Sequence, residues 1–188
     1  MKPVSANLPT KYGTFKILIY QSNAVLIMGD IKNHQPVLTR IHSRCLTGDS
    51  FYSLRCDCGD QLKESMKKIQ KAGRGVIIYL NQEGRGVGLA NKIRAYRLQD
   101  QGMDTVDANH ALGLPTDTRD YSAAAKILKN LKISNINLLT NNPQKRDQLE
   151  KYGIRVNKRI PLEIAPNKIN RKYLQTKKGK LGHQLDLV

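Results

Sequence analysis

The three cysteines of the chain, Cys45, Cys56 and Cys58, fall within fourteen residues, in the context HSRCLTGDSFYSLRCDCGDQ. Thiolates in that number suit a borderline-soft dication, zinc above all. On an extended segment Cys56 and Cys58 point the same way, so one cation can bridge them. Gly48 and Gly59 permit the tight turns such a loop needs. A structural zinc takes four protein ligands, and His42, three residues before Cys45, could close the set. Left open, the fourth position takes water, whose pKa zinc lowers from ~15.7 to near 7. Three thiolates donate heavily and blunt that effect, so a partner base or hydrogen-bond acceptor would help. The residues alone leave both readings open.

Three further segments carry possible chemistry. Gln82-Glu83-Gly84-Arg85-Gly86-Val87-Gly88 is a glycine-rich turn, with backbone N–H groups suited to an anion. It has neither the Lys-Ser/Thr ending of a P-loop nor the dinucleotide fingerprint. Arg85 adds a guanidinium that can grip phosphate with two parallel hydrogen bonds. Thr116-Asp117-Thr118-Arg119-Asp120 holds an Asp-x-Arg pair, which by itself reads as a surface ion pair. Thr140 to Lys145, TNNPQK, offers a second anion-binding corner.

The elements that must position these groups alternate between strands and helices. Strands are expected over 15–20, 24–28, 36–41, 75–80 (GVIIYL, a buried run), 133–139 and 154–156. Helices are expected over 61–72, with Leu62, Met66 and Ile69 on one face and Gly73 as stop, and over 90–99 and 122–131. A further helix should start at Pro143 with Asn142 as cap and stop at Gly153. The glycine-rich turn then lies between a strand and a helix, and TNNPQK at a strand end. The pattern predicts an α/β (mixed α+β) fold, a single domain with a mixed β-sheet flanked by helices. The expected division is a catalytic domain over 1–165 and a basic C-terminal tail of the same domain over 166–188.

Composition narrows the class. With 32 Lys+Arg against 15 Asp+Glu, the net charge is +17 over 188 residues. Anionic partners follow, of no particular kind. From Asn141 to Val188 there are twelve basic and four acidic residues, and from Lys168 to Lys180 six basic and none acidic. Such a run reads as a solvated face or as an anion platform. Single-strand stacking needs interleaved aromatics, and this stretch offers only Tyr173. No recognition motif for nucleic acid is present. No apolar stretch is long enough for a membrane span, the N-terminus does not read as a secretory signal, and three cysteines do not make a disulfide scaffold. A reduced cytoplasmic setting is the expectation.

The sequence is identified as similar to GTP cyclohydrolase II, in its monofunctional form, from about Leu8 to Gln184. The motifs that carry the likeness are HSRCLTGD, SLRCDCG, YLNQEGRGVGLANKIRAYRLQDQG, DTVDANHALG, DTRDY, LLTNNPQK and YLQTKKGKLGH. The resemblance implies a homodimer with one zinc per subunit, held by Cys45, Cys56 and Cys58 with water fourth, and Mg²⁺ carried on the nucleotide phosphates. GTP would lose formate and pyrophosphate to give 2,5-diamino-6-ribosylamino-4(3H)-pyrimidinone 5′-phosphate, the opening step of riboflavin biosynthesis. Some relatives carry a fused dihydroxybutanone-phosphate synthase domain, for which 188 residues leave no room. No membrane or nucleic-acid partner is implied.

Residue by residue, the resemblance makes Asp117 a proton acceptor, Arg119 a nucleophile toward the α-phosphate or a cation that stabilises it, and Tyr96 the group associated with the second ring hydrolysis. It assigns GTP binding to Arg40, Ile41, His42, Ser43, Arg44, Gln61, Glu83, Gly84, Arg85, Thr105, Thr140 and Lys145. Glu83 has the chemistry to accept from guanine N1–H and N2–H. One position departs: where the family has His-Ser-Glu-Cys, this chain has His42-Ser43-Arg44-Cys45, a two-unit swing in charge that exchanges an acceptor for a donor. Retained but altered activity is expected. The alternatives are a paralogue that stops at a formylamino-pyrimidine or takes another purine nucleotide and, in a different class, a zinc-stabilised basic RNA-binding protein.

Overall fold

The run Gly75–Leu80 (β5) shows why a sheet organises this chain. Its six residues are almost continuously apolar, and alternation sends Val76, Ile78 and Leu80 into one core cluster and Ile77 into another. A strand buried on both faces needs a layer on each side. On one face lies α5 (Ser122–Asn130), with Ala124, Ala125, Ile127 and Leu128 buried. On the other, α2 (Cys58–Ala72) places Leu62, Met66 and Ile69 against Phe15 and Ile77, the helical spacing legible in the sequence.

The computed structural model describes residues 3–32 and 36–188. Its remaining strands are β1 (Val4–Thr10), β2 (Gly13–Tyr20), β3 (Asn23–Met28), β4 (Val37–Ser43), β6 (Asn135–Leu139) and β7 (Arg155–Ile160). They form one seven-stranded sheet in the order β1-β2-β3-β5-β4-β6-β7. The N-terminal part is antiparallel, with Ile17 opposite Leu26 and Leu26 opposite Ile77. The pairs β4–β6 and β6–β7 are parallel. The fold is mixed α/β, as the element pattern predicts. Two compact units can be distinguished. The sheet unit contains the described residues up to His42 with Leu62–Asn81 and Asp120–Leu162; the other unit contains Ser43–Gln61, Gln82–Arg119 and Glu163–Val188.

The remaining helices are α1 (Leu46–Asp49), α3 (Leu89–Asp100), α4 (Thr105–Ala111), α6 (Pro143–Lys151) and α7 (Arg171–Leu181). In α6 the Asn142 side chain accepts from Gln144 N at 3.0 Å, with Pro143 in the first turn, as the cap and proline signals require. Four elements have no counterpart in the sequence reading: β1, α1, α4 and α7. The first is an exposed edge strand with little apolar alternation. The last lies in the stretch expected as a basic tail. Within it Lys177 is buried, and Lys180 pairs with Asp104 and Asp107.

Leu128, fully buried in the main cluster, tests whether that layer holds the sheet. Leu128→Ala should lower the unfolding free energy by ~2–5 kcal/mol, read as a shift in the urea midpoint with little change in slope.

Candidate metal centre and anion-binding residues

The Cys45, Cys56 and Cys58 sulfurs lie within 4.8 Å of one another, the one group among the described residues able to hold a metal ion. Local structure brings them together. Cys45 ends the extended segment after β4, and its N–H donates to Asp49 Oδ2 at 2.9 Å. Cys58 opens α2, and Cys56 lies two residues before it. Gly48 fills the space between: a Cβ there would stand 2.8 Å from Cys56 Sγ and 3.1 Å from Cys45 Sγ. A Cβ on Gly59 would meet the Gly48 carbonyl oxygen at 2.2 Å. Both glycines therefore serve close approach rather than the tight turns that the sequence suggests, and neither has a positive φ.

The donor set fits zinc. Two ligands at ~2.3 Å in a tetrahedron are ~3.8 Å apart, and Cys45 Sγ and Cys56 Sγ are 3.7 Å apart. The three thiols share charge unequally. Hydrogen bonds from Cys56 and Cys58, and then Lys92, hold Cys45 well below the ordinary thiol range against the opposing effect of burial. Cys56 is pushed up to about 11, first by its hydrogen bond with Cys45, and Cys58 is also raised, first by its own hydrogen bond with Cys45. For all three to ionise at this spacing, a cation must stand among them. His42 is not in the group; in the sheet unit its ring stacks on Tyr79 with centroids 5.4 Å apart.

Around Cys45 sits a hydrogen-bonded set. Lys92 Nζ donates to Cys45 Sγ at 3.0 Å and to Glu83 Oε1 at 2.8 Å. Glu83 Oε2 accepts from Leu46 N at 2.7 Å, and Oε1 also accepts from Gly84 N at 3.1 Å. Glu83 is thus already engaged by the chain's own donors. Arg44 Nε lies 4.0 Å from Glu83 Oε2 on a side chain 41% exposed, so the departing residue turns its charge toward that carboxylate. One helical turn beyond Lys92, Tyr96 shares a hydrogen bond with Thr47 Oγ1 at 3.2 Å. Its pKa is pushed up to about 12, chiefly by burial. Lys92 had no role in the sequence reading. Its spacing of four from Tyr96 on one helix was the available signal.

The Glu83–Gly86 segment forms a single turn in which Gly84, Arg85 and Gly86 all have positive φ, a conformation a non-glycine residue such as Arg85 adopts only under constraint. The constraint is visible: Thr118 N and Oγ1 both donate to Arg85 O at 3.1 Å. The Arg85 terminal nitrogens are buried with no hydrogen-bond partner among the described residues, and the guanidinium lies 5.9 Å from the Tyr173 ring centroid. Buried donors left unmatched mark a place for an acceptor. Arg119 grips Asp117 through Nε at 2.8 Å and a second nitrogen at 2.5 Å. Burial opposes the Asp117 charge, but the Arg119 hydrogen bonds and charge outweigh it and hold the carboxyl below its usual range.

Other expected binding residues of this unit are tied in locally. Ser43 Oγ accepts from Gln82 Nε2 at 2.8 Å, and Gln61 Nε2 donates to Asp57 Oδ2 at 2.6 Å. Thr105 lines a cavity of about 140 Å³ together with Arg55, Tyr173 and Thr176. The sheet unit holds a separate group. Arg40 donates to Leu139 O at 2.9 Å, Lys145 Nζ to Ile41 O at 2.7 Å, and Asn142 N to Thr140 Oγ1 at 3.0 Å. Arg40, Thr140 and Lys145 are all buried.

Between the second and third cysteine, Asp57 is buried and accepts from Lys177 Nζ of α7 at 2.8 Å. Removing one partner of such a pair strands the other, so Lys177→Met should cost ~3–5 kcal/mol in urea unfolding, and adding Asp57→Asn should return much of it. The Asp117–Arg119 pair carries a pH signature. Because the folded pKa of Asp117 lies below the unfolded value of ~3.9, its contribution is complete above that value and is lost as pH falls through the folded one. The stability difference between the parent and Asp117→Asn, full at pH 7, should shrink below about pH 4.

Comparison with known proteins places this arrangement. The GTP cyclohydrolase II family profile matches residues 2–161. The chain is 55% identical over 184 residues to the GTP cyclohydrolase-2 of Neisseria meningitidis serogroup A, covering 95% of this chain and 93% of that protein. It is 54% identical over 187 residues to the GTP cyclohydrolase-2 of Tolumonas auensis, covering 96% and 95%. It is also 54% identical over 191 residues to the riboflavin biosynthesis protein RibBA of Endomicrobium trichonymphae, covering 98% of this chain and 47% of that protein, so it spans about half the length of that relative. With the profile over most of its length and near-full-length relatives above half identity, the chain belongs to the GTP cyclohydrolase II family.

Proposed function

We propose that the chain hydrolyses GTP at a zinc centre, releasing formate and pyrophosphate and leaving 2,5-diamino-6-ribosylamino-4(3H)-pyrimidinone 5′-phosphate, the opening step of riboflavin biosynthesis. The observation that carries this reading is the cluster of three cysteine sulfurs around Gly48, all within 4.8 Å of one another and two of them 3.7 Å apart, as zinc ligands would be. Family membership supports the choice of GTP. Cys45, Cys56 and Cys58 hold the metal; zinc there supplies Lewis acidity and water activated near neutral pH. Mg²⁺ travels with the phosphates, and the working form is a cytoplasmic homodimer. No helix of the described residues is long and apolar enough to cross a membrane.

The chain's own groups divide the remaining work. Arg85 offers two buried terminal nitrogens unmatched among the described residues, suited to phosphate oxygens. Tyr96 stays protonated at neutral pH and can give a proton, or hold a hydrogen bond, next to Thr47 during the second ring hydrolysis. Arg119 acts as a cation on the α-phosphate rather than as a nucleophile. A nucleophilic guanidine would have to lose a proton to Asp117, and that carboxylate, held below its usual range, is a weak base. Glu83 supports guanine recognition by fixing Leu46 and Lys92, and a direct contact with the base would use its free lone pairs. Arg44 beside Glu83 leaves the hydrolysis intact and alters its rate.

The test is incubation of the zinc-loaded protein with GTP and Mg²⁺, following formate, pyrophosphate and the pyrimidine absorbance together. All three should rise in equal amounts. Cys56→Ser should lose metal and turnover by more than the ~10–100-fold typical of outer-shell changes. Tyr96→Phe should accumulate the formylamino compound, and no label from α-phosphate-labelled GTP should stay on the protein. Formate absent from the parent protein, or a formylamino end product, would place it with a paralogue. No turnover with salt-sensitive RNA binding would favour the binding-protein class.

A further inference from the structure

The Lys92 side chain is 12% exposed and directs its ammonium at two acceptors, the Cys45 sulfur at 3.0 Å and Glu83 Oε1 at 2.8 Å. Glu83, bonded in turn to Leu46 N, closes a ring of hydrogen bonds that returns to the residue after Cys45. The ammonium therefore has a fixed position relative to that sulfur. Its burial is not explained by metal retention, because a cation beside three metal-binding sulfurs opposes the loading of a dication. Nor does the ion pair with Glu83 account for the contact with sulfur, since the same carboxylate could hold Lys92 without it.

We propose that Lys92 is a positioning residue for the metal centre: its N–H···S bond withdraws electron density from the Cys45 thiolate, so that a three-thiolate zinc keeps enough Lewis acidity for hydrolysis. Three thiolates donate more charge than the histidine and carboxylate ligands common at catalytic zinc, and outer groups tune such sites through hydrogen bonds to the ligands. A donor aimed at the sulfur offsets that excess at its source. Glu83 holds the donor, and Tyr96, whose ring centroid is 5.8 Å from Lys92 Nζ, sits on the same face of α3. The inference rests on the zinc reading given above.

Cobalt(II) substitution tests it with a readout other than turnover. In Lys92→Met the sulfur-to-cobalt charge-transfer band should move to lower energy than in the parent, the protein should still bind one equivalent of metal, and formate release should fall by about tenfold or more. Lys92→Arg should return the band and part of the rate. Lys92→Gln, which keeps a neutral N–H, should give an intermediate shift and stands in should the Met variant not fold by circular dichroism. A band unmoved in the Met or Gln variant, or metal lost in step with rate, would overturn the proposal and make Lys92 a structural residue. A parent protein that binds cobalt without a thiolate charge-transfer band would instead overturn the zinc reading itself.

Discussion

Three sulfurs inside a 4.8 Å cluster cannot all carry charge in a buried site unless something positive stands among them. The local structure of this unit is organised around that constraint. Gly48 is bare because a methyl group would collide with two of the sulfurs, and Gly59 is bare because it packs on the Gly48 carbonyl. Asp49 holds the Cys45 N–H, and Asp57, between Cys56 and Cys58, is held by Lys177. The loop is thus fixed from its own backbone and from α7.

Charge is distributed on the same principle. The excess of +17 suggests a general attraction for polyanions, yet several of its cations have defined partners. In the stretch from Lys168 to Lys180, Lys177 is buried on Asp57, Lys180 bridges Asp104 and Asp107, and Lys172 donates to Gly102 O. These cations fasten α7 rather than forming a free basic surface. Lys92 and Arg44 face Glu83, and Arg119 is occupied by Asp117. Arg85 has two buried terminal nitrogens with no hydrogen-bond partner among the described residues. For an anionic substrate that makes Arg85 a guanidinium with donors to offer.

Much of this was legible in the sequence because it rests on local signals. The spacing of the cysteines, the strand–turn–helix around Glu83–Gly86, the Asn142 cap with Pro143, and the Leu62–Met66–Ile69 stripe all encode structure within a few residues. What was not legible depends on partners far along the chain. Lys92 reads as an ordinary helix lysine until Cys45, forty-seven positions away, is placed beside it. Lys177 reads as one of a run of surface charges until Asp57, 120 positions away, is buried against it. Strand β1 lacks apolar alternation because it is an edge whose pairing with β2 is made by backbone groups. Residue types mark what a side chain can do; tertiary neighbours decide which of those things it does.

The central claim is a zinc held by three cysteine sulfurs with its fourth position open to water. X-ray absorption at the zinc edge of the purified protein tests it directly. The account predicts three sulfur scatterers at ~2.3 Å and one oxygen at ~2.0–2.2 Å, with no imidazole signature. A fourth sulfur, or a histidine nitrogen with its outer-ring scattering, would contradict it and return the cluster to a closed structural role.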